Sequence, residues 1–260
     1  MRCDLYLSQY GFAESRSKAR VLIDEGAVKI DGMVIKKASD TIEEDIEHLV
    51  EIADVLPFVS RGGLKLEFAL KRFAISAEGA KALDVGASTG GFTDCLLKRG
   101  AEHVIAVDSG EKQMASSLRA DPRVTCVEKY NARYMKSTDF SYEPNLVVMD
   151  VSFISQTLIL GALSSVMTEE GVLVSLIKPQ FEVGRSAVGK NGIVKKAEDR
   201  GRAIEHVLSV ANSFGLGCFA LTRSPITGGD GNIEFLAAFR KGAPRVINEK
   251  KIKDCMEGKI

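Results

Sequence analysis

Ala82–Phe92, A-L-D-V-G-A-S-T-G-G-F, is the stretch of this 260-residue chain whose reading decides the fold. A short apolar run, Ala82, Leu83 and Val85, stops at Gly86; Gly90, Gly91 and Phe92 then open an amphipathic segment that continues through Leu96 and Leu97. A strand, a tight turn and a helix start in that order let a ligand approach the backbone closely, with glycine wherever a Cβ would intrude. The turn departs from the dinucleotide fingerprint G-x-G-x-x-G, because Ser88 stands at the second glycine position and a Gly-Gly pair follows. A glycine turn also serves simple packing, so the flanking sequence has to choose.

Downstream, apolar runs at Ala82–Val85, Val104–Val107, Val124–Val127, Leu146–Met149 and Val172–Ile177 alternate with helical stretches near Thr93–Arg99, Lys112–Arg119 and Gln156–Met167. A long helix, Ala197–Phe214, precedes two further strands, Gly217–Thr222 and Ile233–Phe239. The alternation predicts an α/β fold, a doubly wound, Rossmann-like sheet, and the turn-rich P-I-T-G-G-D-G-N between the final two strands reads as a hairpin, so the last strand is expected antiparallel. Ligands of such sheets gather beyond the carboxyl ends of the strands. Those ends carry Gly86, Asp108, Asn131, Asp150 and Lys178. Asp108, about 20 positions after the turn, is placed to accept from ribose hydroxyls. Asn131 reads equally as a border to a base or as a turn residue. Asp150 and Lys178 each end an apolar strand, where an unpaired charge is costly, so the two are expected to face one another.

Upstream, the first 57 residues follow another pattern. S-R-S-K-A-R (Ser15–Arg20) leads into V-L-I-D-E-G (Val21–Gly26) and then V-K-I-D-G (Val28–Gly32). Ser15 or Ser17 caps a helix with Ala19, Leu22 and Ile23 on its apolar face, Gly26 ends it, and Asp31-Gly32 turns a hairpin. This order resembles the S4 RNA-binding domain, a small α+β fold. The resemblance implies that Arg2, Arg16, Lys18, Arg20 and Lys29 meet RNA phosphates, with Arg61 near the start of the following helix joining them. Arg16 and Arg20 lie one helical turn apart and share a side. The stretch 38–57 holds seven acids and no Lys or Arg, so any RNA contact belongs to one face.

Composition removes several classes. Lys+Arg and Asp+Glu balance at 35 each, and 45% hydrophobic residues suffice for a large core. Five scattered cysteines and three histidines show no metal-ligand spacing, so no metal is expected and the thiols are read as reduced. No secretory leader is recognised, and no apolar run approaches the roughly 18 residues of a bilayer span, so a cytoplasmic protein is expected.

Five segments now line up: S-R-G-G-L-K (Ser60–Lys65), D-V-G-A-S-T-G-G-F (Asp84–Phe92), D-V-S-F-I-S (Asp150–Ser155), K-P-Q-F-E (Lys178–Glu182) and G-N-I-E (Gly231–Glu234). Together they resemble the TlyA family of rRNA 2′-O-methyltransferases, a branch of the FtsJ (RrmJ) class. The resemblance implies a catalytic tetrad of Lys65, Asp150, Lys178 and Glu234. It implies S-adenosylmethionine as cofactor, held by Asp84, Gly86, Ser88, Gly90, Gly91, Phe92, Asp108 and Asn131. The implied substrate is a cytidine ribose in ribosomal RNA of the large subunit, and in some members of the small one. The implied domains are an S4-like module at 1–57, a methyltransferase domain at 58–245 and a basic carboxyl-terminal tail at 246–260. Basic residues from Lys178 to Arg202 and beyond Arg240 would hold a polyanion over the site, with the loop Gly184–Gly192 ordering on RNA or serving as a plain connector. Relatives in this family also carry the haemolysin label. A membrane-active protein, a non-catalytic ribosome-assembly factor and a small-molecule methyltransferase are the competing readings.

Overall fold

The structure, a computed structural model, describes residues 1–260 apart from 14, 25, 45 and 53–56. The acidic residues Asp45 and Asp54 of the 38–57 stretch lie outside the described residues. The chain divides into two compact units, Met1–Arg61 and Gly62–Ile260.

In the amino-terminal unit, α1 (Cys3–Gln9) and α2 (Arg16–Asp24) pack on a sheet of β1 (Val28–Ile30), β2 (Met33–Val34) and β3 (Val50–Ile52), ordered β2-β1-β3 and antiparallel. Ser15 Oγ accepts from Lys18 N at 3.2 Å, which makes Ser15 the cap. Ala19, Leu22 and Ile23 are buried as the helical spacing requires, alongside Leu7, Val28 and Ile30. Asp31 and Gly32 both take left-handed φ, 52° and 78°, the geometry of a two-residue hairpin turn.

The carboxyl-terminal unit comprises α3 (Gly62–Arg72), β4 (Lys81–Val85), α4 (Gly91–Lys98), β5 (His103–Val107), α5 (Ser116–Arg119), β6 (Val124–Val127), β7 (Leu146–Met149), α6 (Thr157–Val166), β8 (Val172–Ile177), α7 (Pro179–Glu182), α8 (Ala197–Ser213), β9 (Leu216–Arg223), β10 (Phe235–Lys241) and α9 (Glu249–Met256). Its sheet runs β6-β5-β4-β7-β8-β10-β9, parallel except that β10 lies antiparallel between β8 and β9. The expected antiparallel last strand is present. Order reverses at β4, so the crevice beyond β4 and β7 is the switch point where a ligand belongs.

Four expectations need correction. The helix expected over Lys112–Arg119 shrinks to Ser116–Arg119, because Lys112 is left-handed at φ 57° and its N–H goes to the Glu128 carboxylate. In α3 the apolar pattern predicts an inward face of Leu64, Phe68 and Leu70, but the residues that turn inward are Lys65, Leu66, Ala69 and Leu70, whereas Leu64 and Phe68 are half-buried. The face therefore turns a lysine inward, a choice that hydrophobicity alone would not make. The last strand starts at Phe235, leaving Ile233 and Glu234 in the approach to it. Finally, the stretch read as a tail is folded: Ile247, Ile252 and Cys255 enter the main core. Because β10 is antiparallel, with Phe235 opposite Ile177 and Arg240 opposite Val172, Arg240 and Lys241 stand at the end of the sheet away from Lys178. They do not flank the site.

Candidate active site

The glycine turn bends where β7 ends. A Cβ on Gly86 would sit 2.4 Å from the Asp150 carbonyl oxygen, so only glycine lets β4 turn against that strand. Ser88 is itself left-handed, φ 46°, and its N–H donates to Asp108 Oδ2 at 2.8 Å, while Gly110 N–H donates to Oδ1 at 2.7 Å. The turn and the end of β5 are thereby locked together. They enclose a cavity of about 720 Å³, lined on one side by Gly86, Ser88 and Asp108, on another by Tyr130 and Asn131, and closed by Asp150, Ser152 and Phe153. That volume suits a nucleoside-bearing ligand.

The eight residues expected around a cofactor separate into two sets. Gly86, Ser88, Asp108 and Asn131 line the cavity, and Asn131 also accepts from Arg133 N, so it is a turn residue and a lining residue at once. Asp84, Gly90, Gly91 and Phe92 stand behind the turn. Gly90 owes its identity to φ 94° and to Leu118, whose Cδ1 would lie 2.3 Å from a Cβ. Asp84 is fully buried, accepts from Thr93 Oγ1 at 2.7 Å, and leaves Oδ1 without a hydrogen-bond partner among the described residues. Burial above all, helped by Asp150 nearby, pushes its carboxyl up to about 7.

The four tetrad candidates form two ion pairs. Lys178 Nζ lies 2.5 Å from Asp150 Oδ1 and donates to Ser152 Oγ at 2.8 Å. Lys65 Nζ lies 2.5 Å from Glu234 Oε2, with both side chains almost wholly buried. Ile177 and Phe235 are paired across β8 and β10, so Lys178 and Glu234 are the next residues beyond that pair. Asp150, Lys178 and Glu234 therefore leave one end of three adjacent strands, and α3 brings Lys65 to the same end.

Sequence reasoning missed the groups that hold this end together. Glu182 Oε2 accepts from Ser155 Oγ at 2.5 Å and its Oε1 from Gln156 N at 3.0 Å. Gln156, itself buried, accepts from Ser175 Oγ and reaches the Leu176 carbonyl. The loop after Asp150 is thus clamped to the turn after Lys178. Burial raises the Glu182 carboxyl. The signal was present in D-V-S-F-I-S and K-P-Q-F-E, but only as motifs, with no role for the serine or the glutamate. Phe153 was missed as well: it is 93% exposed at the cavity rim, left-handed at φ 64°, with its ring 5.4 Å from that of Phe181. Asn232, 1% exposed, holds the strap after Gly189 by accepting from Val194 N and donating to the Gly192 carbonyl.

In the amino-terminal unit, Arg2, Arg16 and Arg20 converge on Asp4, while Lys18 and Lys29 have no carboxylate partner among the described residues. Arg61 is exposed at the unit's end. Among the described residues no group of His, Cys, Asp and Glu is arranged to hold a metal, and no helix is long and apolar enough to cross a membrane. All five cysteines are free thiols.

A sheet with one strand slipped in antiparallel between its neighbours, and a cluster of polar side chains at its switch point, is the build of an α/β methyltransferase. The FtsJ-like methyltransferase family model matches residues 58–241 and the S4 domain model residues 1–45. The 16S/23S rRNA (cytidine-2′-O)-methyltransferase TlyA of Mycobacterium tuberculosis is 39% identical over 259 residues, 100% of this chain and 97% of that one. Hemolysin A of Brachyspira hyodysenteriae is 42% identical, over 92% of this chain and 99% of that one. A solved structure from Streptococcus thermophilus, described as a hemolysin, superimposes with a TM-score of 0.80 at 40% identity, covering 99% of this chain and 94% of that one. This chain belongs to the FtsJ-like methyltransferase family and, within it, to the TlyA branch. Use of S-adenosylmethionine is a general property of that family.

Proposed function

We propose that this protein transfers a methyl group from S-adenosylmethionine to the 2′-hydroxyl of a cytidine in ribosomal RNA, acting in the cytoplasm on ribosomal subunits or their RNA. The observation that carries the reading is the double lysine–carboxylate pairing at one end of the sheet, beside the cavity under the glycine turn. When bound, S-adenosylmethionine supplies a sulfonium methyl that needs no metal to activate it.

A ribose hydroxyl is a weak nucleophile at neutral pH, so its proton must be loosened while its oxygen is held in line. Lys178, steadied by Asp150 and Ser152, hydrogen-bonds that oxygen and offsets its growing negative charge while the hydroxyl proton passes to solvent water. Glu234 fixes Lys65 beside it, adding a second positive charge toward the same oxygen. Asp108, with both carboxylate oxygens already accepting from backbone, presents its remaining lone pairs to the donor's ribose. Phe153, an exposed aromatic face at the rim, stacks the base of the target nucleoside. The amino-terminal unit holds neighbouring RNA through its arginines.

Incubating the protein with labelled donor and ribosomal subunits tests this. Wild type is expected to label ribosomal RNA, and Lys178→Ala to lose about 10²–10⁴-fold in rate while still binding the donor. Equal labelling by both proteins would reject the role of the pair. The haemolysin name of the Brachyspira relative raises one other reading, separable by liposome leakage: leakage that survives Asp150→Ala would favour it.

A further inference from the structure

Asp4 has no exposed surface, yet three arginines reach it: Arg16 and Arg20 from α2, and Arg2 from the residue before α1. Arg2 Nε lies 3.0 Å from Oδ1, and Arg16 Nη2 and Arg20 Nε lie 3.1 and 2.8 Å from Oδ2. A carboxylate in the first turn of a helix is ordinarily available to the free backbone N–H groups and the positive end of the helix dipole. Here backbone carbonyls take those N–H groups, since Cys3 N and Asp4 N donate to the carbonyls of Asp40 and Ala38. The carboxylate is left to the arginines, whose hydrogen bonds, Arg2's foremost, hold it well below the usual carboxylate range.

The balance is uneven. One buried negative charge meets three positive ones, and the arginine side chains remain 45%, 47% and 53% exposed. Each guanidinium carries five N–H donors in a rigid fork, and the four bonds to Asp4 engage only a few of them. Three like charges would disperse without a shared anion. With it, they stand together at the surface, still short of two negative charges. That is the charge and donor geometry a phosphodiester backbone completes.

We propose that Asp4 is a positioning residue that gathers Arg2, Arg16 and Arg20 into one preformed clamp for RNA phosphates. The inference rests on the reading that the amino-terminal unit binds RNA. It adds that an acidic residue strengthens binding to a polyanion, the opposite of what its charge alone would do. Removing a negative charge beside an RNA site tightens binding by long-range attraction; removing the anchor of three arginines loosens it by scattering them. The sign of the effect therefore decides.

The experiment measures binding of the full chain to large ribosomal subunits across a salt series, for wild type, Asp4→Asn and Arg16→Lys, with amide exchange followed in α1 and α2. Expected for Asp4→Asn is roughly tenfold weaker binding and a log–log salt slope shallower by about 1 to 2, since each lost phosphate contact removes about 0.7–0.9. Arg16→Lys keeps the charge but not the fork, and is expected to bind several-fold more weakly with amide protection intact. If Asp4→Asn loses amide protection, Arg16→Lys alone decides. Binding by folded Asp4→Asn as tight as wild type or tighter, or by Arg16→Lys within twofold of wild type, overturns the inference. Failure of wild type itself to bind subunits would instead strike the reading of the unit as an RNA binder.

Discussion

The two units each build a cluster of charged side chains, and the clusters are opposites. At the sheet's end, two lysines meet two carboxylates, mostly out of water, and the charge sums to zero. Around Asp4, three arginines meet one carboxylate and the excess faces solvent. Burial explains the first balance, because a charge taken from water must be paired. Exposure permits the second, because water and counterions screen the surplus. Residue type follows the task. Lysine is a compact charge that can take part in proton movement, whereas arginine is a fixed fork suited to phosphates and stays protonated. A charge census near zero for the whole chain hides both.

Breaking the buried pair tests the contrast most forcefully. Lys65→Met leaves Glu234 charged and unpartnered, which is expected to cost about 3–5 kcal/mol of stability, measured by denaturant unfolding. The exposed cluster should lose far less when one arginine is removed, because two others still hold Asp4. Equal losses would erase the distinction.

Next in size is Glu182→Gln, which weakens the clamp between the loop after Asp150 and the turn after Lys178. Turnover is expected to fall about 10- to 100-fold, in line with misplacing reacting groups by about an ångström, while donor affinity stays near wild type. A change in donor affinity alone would place Glu182 elsewhere in the scheme.

A third test sharpens the account of burial. Asp84 has a folded pKa of about 7, well above the roughly 3.9 of an unfolded chain. Folding therefore favours its protonated form: that stabilisation is complete below about pH 4 and is lost as pH rises through 7. Asp84→Asn should escape the loss, so its melting temperature relative to wild type, without donor, should climb between pH 5 and pH 8. A constant difference across that range would contradict the buried, proton-favouring environment.

Much of this was legible in the residues. The five parallel-strand runs stood within a residue of their positions because buried strands of β-branched and leucine residues interrupt polar sequence sharply. The ends of those strands then named Asp108, Asp150 and Lys178. Local pattern could not say which side of the glycine turn each residue takes: Asp84 and Phe92 flank it in sequence and lie behind it in space. Nor could it foresee Glu182 reaching back to Ser155, or Asp4 gathering arginines from a second helix. Those contacts join segments with no shared periodicity, and only the tertiary fold brings them together. Lys65 was harder still, since a helix seldom turns a lysine inward, and it does so here because Glu234 waits across the interface between α3 and β10.

The most direct test of the central claim is chemical. Ribosomal RNA labelled by the protein is digested to nucleosides and analysed by mass spectrometry: the account predicts 2′-O-methylcytidine, absent with Lys178→Ala. A methyl group on a base nitrogen or carbon, or a 2′-O-methyl that persists without Lys178, would contradict it.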